Sequence, residues 1–433
     1  MTLAGLLASA CFNPSAVDDT TAATTTATTT TGTPETTAPT TTAPAADAST
    51  SADLPTTTTA CDGACATATT SPATTDTTGA TTAPDTTTGS AALGFTPQPP
   101  IALLGALDLA TVDLDADARH DLAITSMTAP QLAYVLGKDL AVPVLLPAAK
   151  SFPILGLDAD TDGARDDLAL GYWTDAGSLH VLRNTGAVTF DDHSAALGVP
   201  CTRPLAIAAG FLDADEVLDY VVTCAEFATG YYYVPGDKTT YLSMAVVAVE
   251  IGIRPTFVHL LDVFGSPALD LIAPHHESST LFVYEGNGDG SFSTLEPLSY
   301  AVPAAATLDI GDIDGDERLD LAVIQLETDD CSLLLGLPGA GFAQPADFVC
   351  GPQVRDITLG DFNKDGATDL ATIHLDQKLR IAENLGDGTF VSTLNYAIGP
   401  SAWRVVVGDY DGSGSLDLAI TTLDELTFVL NDL

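Results

Sequence analysis

This 433-residue chain has little positive charge: 14 Lys and Arg stand against 58 Asp and Glu, for a formal net charge of −44. A surface so short of cations cannot neutralise phosphates, which argues against nucleic acid and anionic membrane as partners. Long apolar runs are also missing. Although 46% of the residues are hydrophobic, no run reaches the ~20 residues needed to span a bilayer. There is no nucleophile elbow, no zinc-protease helix motif and no phosphate-binding glycine loop, so those chemistries have no local signature.

What the chain has in quantity is aspartate at a fixed spacing. The stretch Gly360-Asp361-Phe362-Asn363-Lys364-Asp365-Gly366 continues to Asp369, placing oxygen-bearing side chains at loop positions one, three, five and nine, with Gly at six. Calcium takes about six to eight oxygens, and a tightly turned acidic loop can supply them at this spacing. The pattern recurs at Asp113, Asp115, Asp117 and Asp121, and at Asp158, Asp160, Asp162 and Asp166. It returns at Asp312, Asp314, Asp316 and Asp320, and at Asp409, Asp411, Ser413 and Asp417. Two copies are degraded. One keeps Asp213, Asp215 and Asp219 behind Phe211, and the other keeps Asp262 and Asp270 around Phe264 and Ser266. The seven loops begin at residues 113, 158, 211, 262, 312, 361 and 409, a period of 45 to 53 residues. Such a period marks a propeller or solenoid.

The flanks read as strands. Short apolar runs follow the ninth position at 122–124, 168–170, 321–324 and 418–420, and precede the first at 357–359 and 405–407. An EF-hand would carry a bidentate Glu at position twelve, but Ile124, Val323, Thr372 and Ile420 stand there. Further along most repeats lies a Gly-rich turn ending in Phe190, Phe292, Phe342 or Phe390. Each repeat therefore reads as strand, acidic loop, strand, loop, strand, Gly turn, strand, which is one four-stranded propeller blade.

The pairing of Gly-Asp-Phe-Asn-x-Asp-Gly with Gly386-Asp-Gly-Thr-Phe390 resembles the FG-GAP/VCBS repeat family, which includes the integrin α-subunit propellers. The resemblance covers residues 92–433 and implies an all-β, seven-bladed propeller. It also implies calcium in the intact loops and ligands on the opposite face.

Residues 1–11 end in small residues and Cys11, similar to a bacterial lipoprotein cleavage site, which implies lipidation of that cysteine. No positive n-region precedes it, so a start further upstream is expected. Residues 12–91 are Thr, Ala, Pro, Ser and Asp, a composition too poor in bulk to fold, expected to form a disordered stalk. Within it, Cys61 and Cys65 suit a local disulfide or no special role. Cys331 and Cys350 flank a Gly turn, and Cys201 and Cys224 straddle the third acidic loop, so each pair can form a disulfide in an oxidising compartment; buried free thiols are the alternative. The last repeat lacks its Gly turn and fourth strand, whereas Leu93–Pro97 resembles that missing piece, so the N-terminal strand is expected to close the ring.

Two other clusters invite a functional reading. Pro274-His275-His276-Glu277 could bind a metal or supply a base, but vicinal residues of an extended chain point to opposite sides. Tyr172, Trp173, Tyr231, Tyr232 and Trp403 fall at the face opposite the acidic loops, where they either anchor a ligand or pack at blade tips. The expected function is a calcium-stabilised, monomeric binding or adhesion module on a bacterial outer surface. Its expected partner is a protein or carbohydrate, with membrane contact only through the lipid. A polysaccharide-cleaving enzyme on the same scaffold is the alternative.

Overall fold

The structure is a computed structural model that describes residues 93–433 except 175–176, 198–200, 228, 245, 252–254 and 256, and the side chains of 392 and 393. Seven antiparallel sheets follow one another along the chain. Blade one comprises Ala106–Val112, Asp121–Ser126, Gln131–Val135 and Val144–Pro147. Blade two follows with Ser151–Leu157, Asp167–Tyr172, Ser178–Asn184 and Phe190–Ala196. Blade three has Pro204–Gly210, Asp219–Cys224, Gly230–Val234 and Val247–Glu250. Blade four is built from His259–Leu261, Asp270–His275, Thr280–Tyr284 and Leu298–Ala301. Ala305–Gly311, Asp320–Gln325, Asp330–Leu334 and Ala346–Val349 form blade five. Val354–Gly360, Asp369–His374, Lys378–Asn384 and Phe390–Ala397 form blade six.

Blade seven is composite. Ala402–Gly408, Asp417–Thr422 and Glu425–Asn431 come from the end of the chain, and the outer position is taken by Phe95–Pro97 and Ile101–Ala102. Phe95 pairs with Asn431 and Pro97 with Val429. The expected ring closure is thus present. Phe95, 5% exposed, packs edge-on against Phe362 and Tyr396 of blade six.

Burial explains the strand composition. Second strands such as Asp121–Ser126 and Leu321-rich Asp320–Gln325 are buried at every residue, because a neighbouring blade covers each face of the sheet. Fourth strands such as Val144–Pro147 and Ala346–Val349 are largely exposed and form the rim. Seven apolar clusters sit one at each blade-to-blade junction, from Leu122 and Phe428 between blades one and seven to Leu370 and Ile324 between five and six. Each large apolar side chain buried this way contributes about 1.5–3 kcal/mol. Two disulfides join Cys201 to Cys224 and Cys331 to Cys350, with Cα atoms 5.4 and 5.7 Å apart.

Candidate metal centres

Each acidic loop joins the first strand of a blade to the second, so all seven emerge on one face of the ring. Their shape comes from the position-one carboxylate. Asp113 accepts the amides of Asp117 and Ala118, Asp158 those of Asp162 and Gly163, and Asp361 those of Asp365 and Gly366, all within 2.9–3.2 Å. Asp312 accepts from Asp316 and Glu317 in the same way, and Asp409 from Gly414. The sixth position is left-handed whether or not it is glycine: φ is 93° at Gly163, 90° at Gly366 and 79° at Gly414, but also 67° at Ala118 and 65° at Glu317. Non-glycine residues held there carry a local cost of order 1 kcal/mol, tolerated because the surrounding amides are all engaged.

Four loops bring three carboxylates together with oxygens within 4.8 Å of one another: Asp113, Asp115 and Asp121; Asp158, Asp160 and Asp167; Asp312, Asp314 and Asp316; Asp409, Asp411 and Asp417. In blade six Asn363 takes the third position, its amide donating to Asp365 at 2.9 Å. A cation fits these clusters. Asp115 Oδ1, Asp314 Oδ1 and Asp409 Oδ1 are buried without a hydrogen-bond partner, one in each of three clusters. A buried, unpaired carboxylate oxygen is costly, and a hard cation would satisfy it. Burial also pushes Asp121, Asp369 and Asp417 up to about 6, against the backbone amides that favour their charged forms. A bound cation would reverse that direction.

Basic side chains form ion pairs with aspartates of three of the loops among the described residues. Lys138 pairs with Asp115, Arg183 Nε lies 2.7 Å from Asp160, and Arg318 pairs with Asp316. For Asp115 this divides the carboxylate: Lys138 holds Oδ2 while Oδ1 stays unpartnered.

The ninth-position aspartate has a role that spacing did not reveal. Asp121 accepts the Leu114 and Gly137 amides, each at 2.7 Å, and so ties its loop to the end of the third strand. Asp219, Asp270, Asp320, Asp369 and Asp417 make the same two contacts in their own blades. In blade two the contacts belong to Asp167, not to Asp166, which spacing assigns to this place. Blade two carries one extra loop residue, so its brace is the tenth in count. Asp166 instead accepts from the Asn184 side chain at 3.1 Å. Asn184, Asn384 and Asn431 then reach across to the preceding blade, donating to the carbonyls of Leu114, Ile313 and Phe362 at 2.7–2.8 Å.

The aromatic set divides. Tyr172, Tyr231 and Tyr232 are 8%, 0% and 3% exposed, so these expected ligand anchors are instead core residues. Their strands lie between two blades, and alternation turns each ring into a junction. Trp173 and Trp403 remain part-exposed and share one small cluster with Leu107, Met127 and Phe152. Trp173 Nε1 donates to the Pro204 carbonyl at 3.1 Å, and the Arg355 guanidinium lies 4.7 Å above the Trp403 ring. Of the vicinal histidines, His275 bonds Ser278 at 2.6 Å, while His276 faces Glu327 at 3.8 Å. The strand ends at His275 and His276 opens the following turn, so the two side chains engage different partners because of the turn, and no metal cluster among the described residues includes them. Cys11 and the segments 1–11 and 12–91 lie outside the described residues.

A further polar group lines the axis. Arg404 Nε lies 2.9 Å from Asp108, and its Nη1 lies 3.2 Å from Asp356, linking blade seven to both neighbours. Asp108 and Asp356 also accept the amides of Ile154 and Val405 on the next inner strand.

No curated protein matches the sequence. Among solved structures, BBS1N in complex with ARL6DN is 13% identical, with 78% of this chain and 96% of that chain covered and a TM-score of 0.54. A streptogramin B lyase is 11% identical over 78% of this chain and 98% of that one, with a TM-score of 0.52. Virginiamycin B lyase from Staphylococcus aureus is 12% identical over 78% and 99%, with a TM-score of 0.51. At such identities the likeness is one of fold. The family model described as FG-GAP-like repeat matches residues 262–323 and 361–420, so the chain is a seven-bladed propeller that contains FG-GAP-like repeats.

Proposed function

We propose that this protein is a calcium-stabilised binding module of a bacterial cell surface, tethered through Cys11 and recognising a protein or carbohydrate. The observation that carries calcium is the set of buried, unpartnered oxygens of Asp115, Asp314 and Asp409 within clusters of hard oxygen donors. Such donors suit calcium better than softer transition metals. In the intact loops the oxygen-bearing side chains at positions one and three, joined by those at five or nine, would hold the ion, and it would supply charge neutralisation rather than reactivity. Two disulfides support an oxidising compartment. The ligand face is the one opposite the acidic loops, with Trp173 and Trp403 as its part-exposed anchors. An acidic chain of net charge −44 favours neutral glycans or basic protein surfaces over anionic partners. A glycan array and a cell-binding assay, run with calcium and with chelator, test the reading. Binding that needs neither tryptophan would overturn it.

A further inference from the structure

Blade two carries a second constellation, away from its acidic loop. Ser178 and His180 lie two residues apart on the third strand, Ser178–Asn184, so both side chains emerge on one face of the sheet. The Ser178 hydroxyl is 2.9 Å from His180 Nε2. Asp192 Oδ1, on the adjoining outer strand, is 2.7 Å from His180 Nδ1. With Asp192 accepting the Nδ1 proton, Nε2 is left to accept from the serine. The Tyr172 ring stacks on the imidazole with centroids 3.9 Å apart and planes at 21°, which fixes its plane. Gly177 has φ 52°, and a Cβ there would lie 2.2 Å from the Cys201 carbonyl oxygen. The backbone entering Ser178 is therefore held against the segment that the Cys201–Cys224 disulfide fastens. Blade six offers a contrast: Thr372 also meets His374 Nε2 at 2.8 Å, but its Nδ1 partner is the Pro352 carbonyl and both side chains are sealed in the core. In blade two the serine and histidine meet a carboxylate and keep access to solvent, the His180 and Asp192 side chains being 15% and 50% exposed.

We propose that Ser178, His180 and Asp192 form a serine hydrolase site for small, uncharged acyl esters. Ser178 Oγ attacks the ester carbonyl carbon while its proton passes to His180 Nε2. The tetrahedral adduct collapses, the C–O bond to the alcohol breaks, and His180 returns the proton to the departing alkoxide. Water, deprotonated by His180, then attacks the acyl-serine and releases the acid and free Ser178. Ser178 and His180 are catalytic residues, and Asp192 is a positioning residue that holds the imidazole. The site lies on a part-exposed outer strand pair of a chain whose net charge is −44, which disfavours anionic esters. Water would solvate the oxyanion of an adduct at this part-exposed site, so turnover is expected ~10²–10³-fold below that of hydrolases with a preorganised donor.

The test is performed on the full chain in calcium with a fluorophosphonate probe and peptide mapping, alongside hydrolysis of p-nitrophenyl acetate. The expected result is an adduct on Ser178 that is lost in Ser178→Ala, with Asp192→Asn lowering kcat ~10–100-fold at unchanged KM and Asp192→Glu recovering part of it. A wild-type chain without an adduct on Ser178, or a Ser178→Ala variant that hydrolyses the ester at the wild-type rate, would overturn the proposal. Should Ser178→Ala lower the Tm, His180→Gln carries the test, because labelling of Ser178 at the wild-type rate in that variant also excludes the mechanism.

Discussion

Asp270 holds the Gly286 amide at 2.8 Å although the loop ahead of it has lost its middle acidic residues to Phe264 and Ser266. Its other oxygen takes the Val263 and Phe264 amides at 2.7 and 3.0 Å. The aspartate survives where the ligand set does not, because three buried or half-buried N–H groups would otherwise lack an acceptor. In the intact loops the equivalent aspartate braces the blade in the same way, and at Asp121 and Asp417 it also joins the carboxylate cluster.

This separation yields a contrast between variants. Asp270→Asn presents an amide where carboxylate oxygens accept, and should cost about 1–3 kcal/mol of stability equally with and without calcium. Asp365→Ala should weaken one calcium site, while Asp262→Ala should leave calcium binding nearly unchanged. Chemical denaturation in calcium and in chelator reads all three. A calcium-dependent cost for Asp270→Asn would refute the bracing role.

Calcium should bind with ~10⁻⁴ to 10⁻³ M affinity, typical of extracellular modules, and raise the Tm with the logarithm of its concentration above Kd. Asp409→Ala removes both the loop-shaping acceptor of Gly414 and an unpartnered oxygen, and should abolish one site. Calorimetry that shows no heat on adding calcium to the purified propeller would sink this expectation.

Closure of the ring is tested by truncation. Removing residues 1–101 takes away Phe95 and its contacts with Phe362 and Tyr396, leaving Asn431 and Val429 on an unpaired edge. That protein should melt lower or aggregate, whereas deletion of residues 12–88 should leave the Tm within about 1 °C of the parent. Identical melting of the two would contradict closure.

The axial group predicts a pH effect. Burial pushes Asp356 up to about 6, above its ordinary 3.8, while Arg404 and the Val405 amide pull the other way. Its folded-state affinity for the proton exceeds the unfolded one. The stability it contributes is therefore full below pH 3.8 and lost as pH rises through 6. Burial would lower Arg404, but Asp356 and Asp108 beside it raise it, so it stays charged and pairs with both. Arg404→Met strands two buried carboxylates, at a cost of about 3 kcal/mol near pH 7.5. The loss should shrink at pH 5, where Asp356 can protonate. A pH-independent loss would mean that packing, not charge, is what Arg404 supplies.

For the ligand face, Trp173→Ala combined with Trp403→Ala should abolish binding to cells or glycans while the calcium-dependent rise in Tm persists. Tyr232→Ala, by contrast, should lower the Tm by opening a cavity between blades two and three, an effect of about 3 kcal/mol or more. Binding that disappears only in the tyrosine variant would return the site to blade three.

Period and residue type were enough to establish much of this protein. Seven acidic loops at regular spacing specify seven blades, since each repeat buries its faces only against its neighbours. The orphan segment at Leu93–Pro97 identified the closing strand because every other blade has four strands and the last has three. Both disulfide pairs were visible from their placement around a turn or loop. What the linear pattern left undecided depends on which face of a sheet a side chain takes and what lies across the junction. Tyr172, Tyr231 and Tyr232 read as anchors until the neighbouring blade covered them. Asp167 displaced Asp166 because hydrogen bonds to Ala159 and Asn184, not spacing, define the brace. Arg404 meets Asp108, 296 residues away, and Ser178 meets Asp192 through His180, because ring closure and strand pairing create neighbours that sequence separation hides.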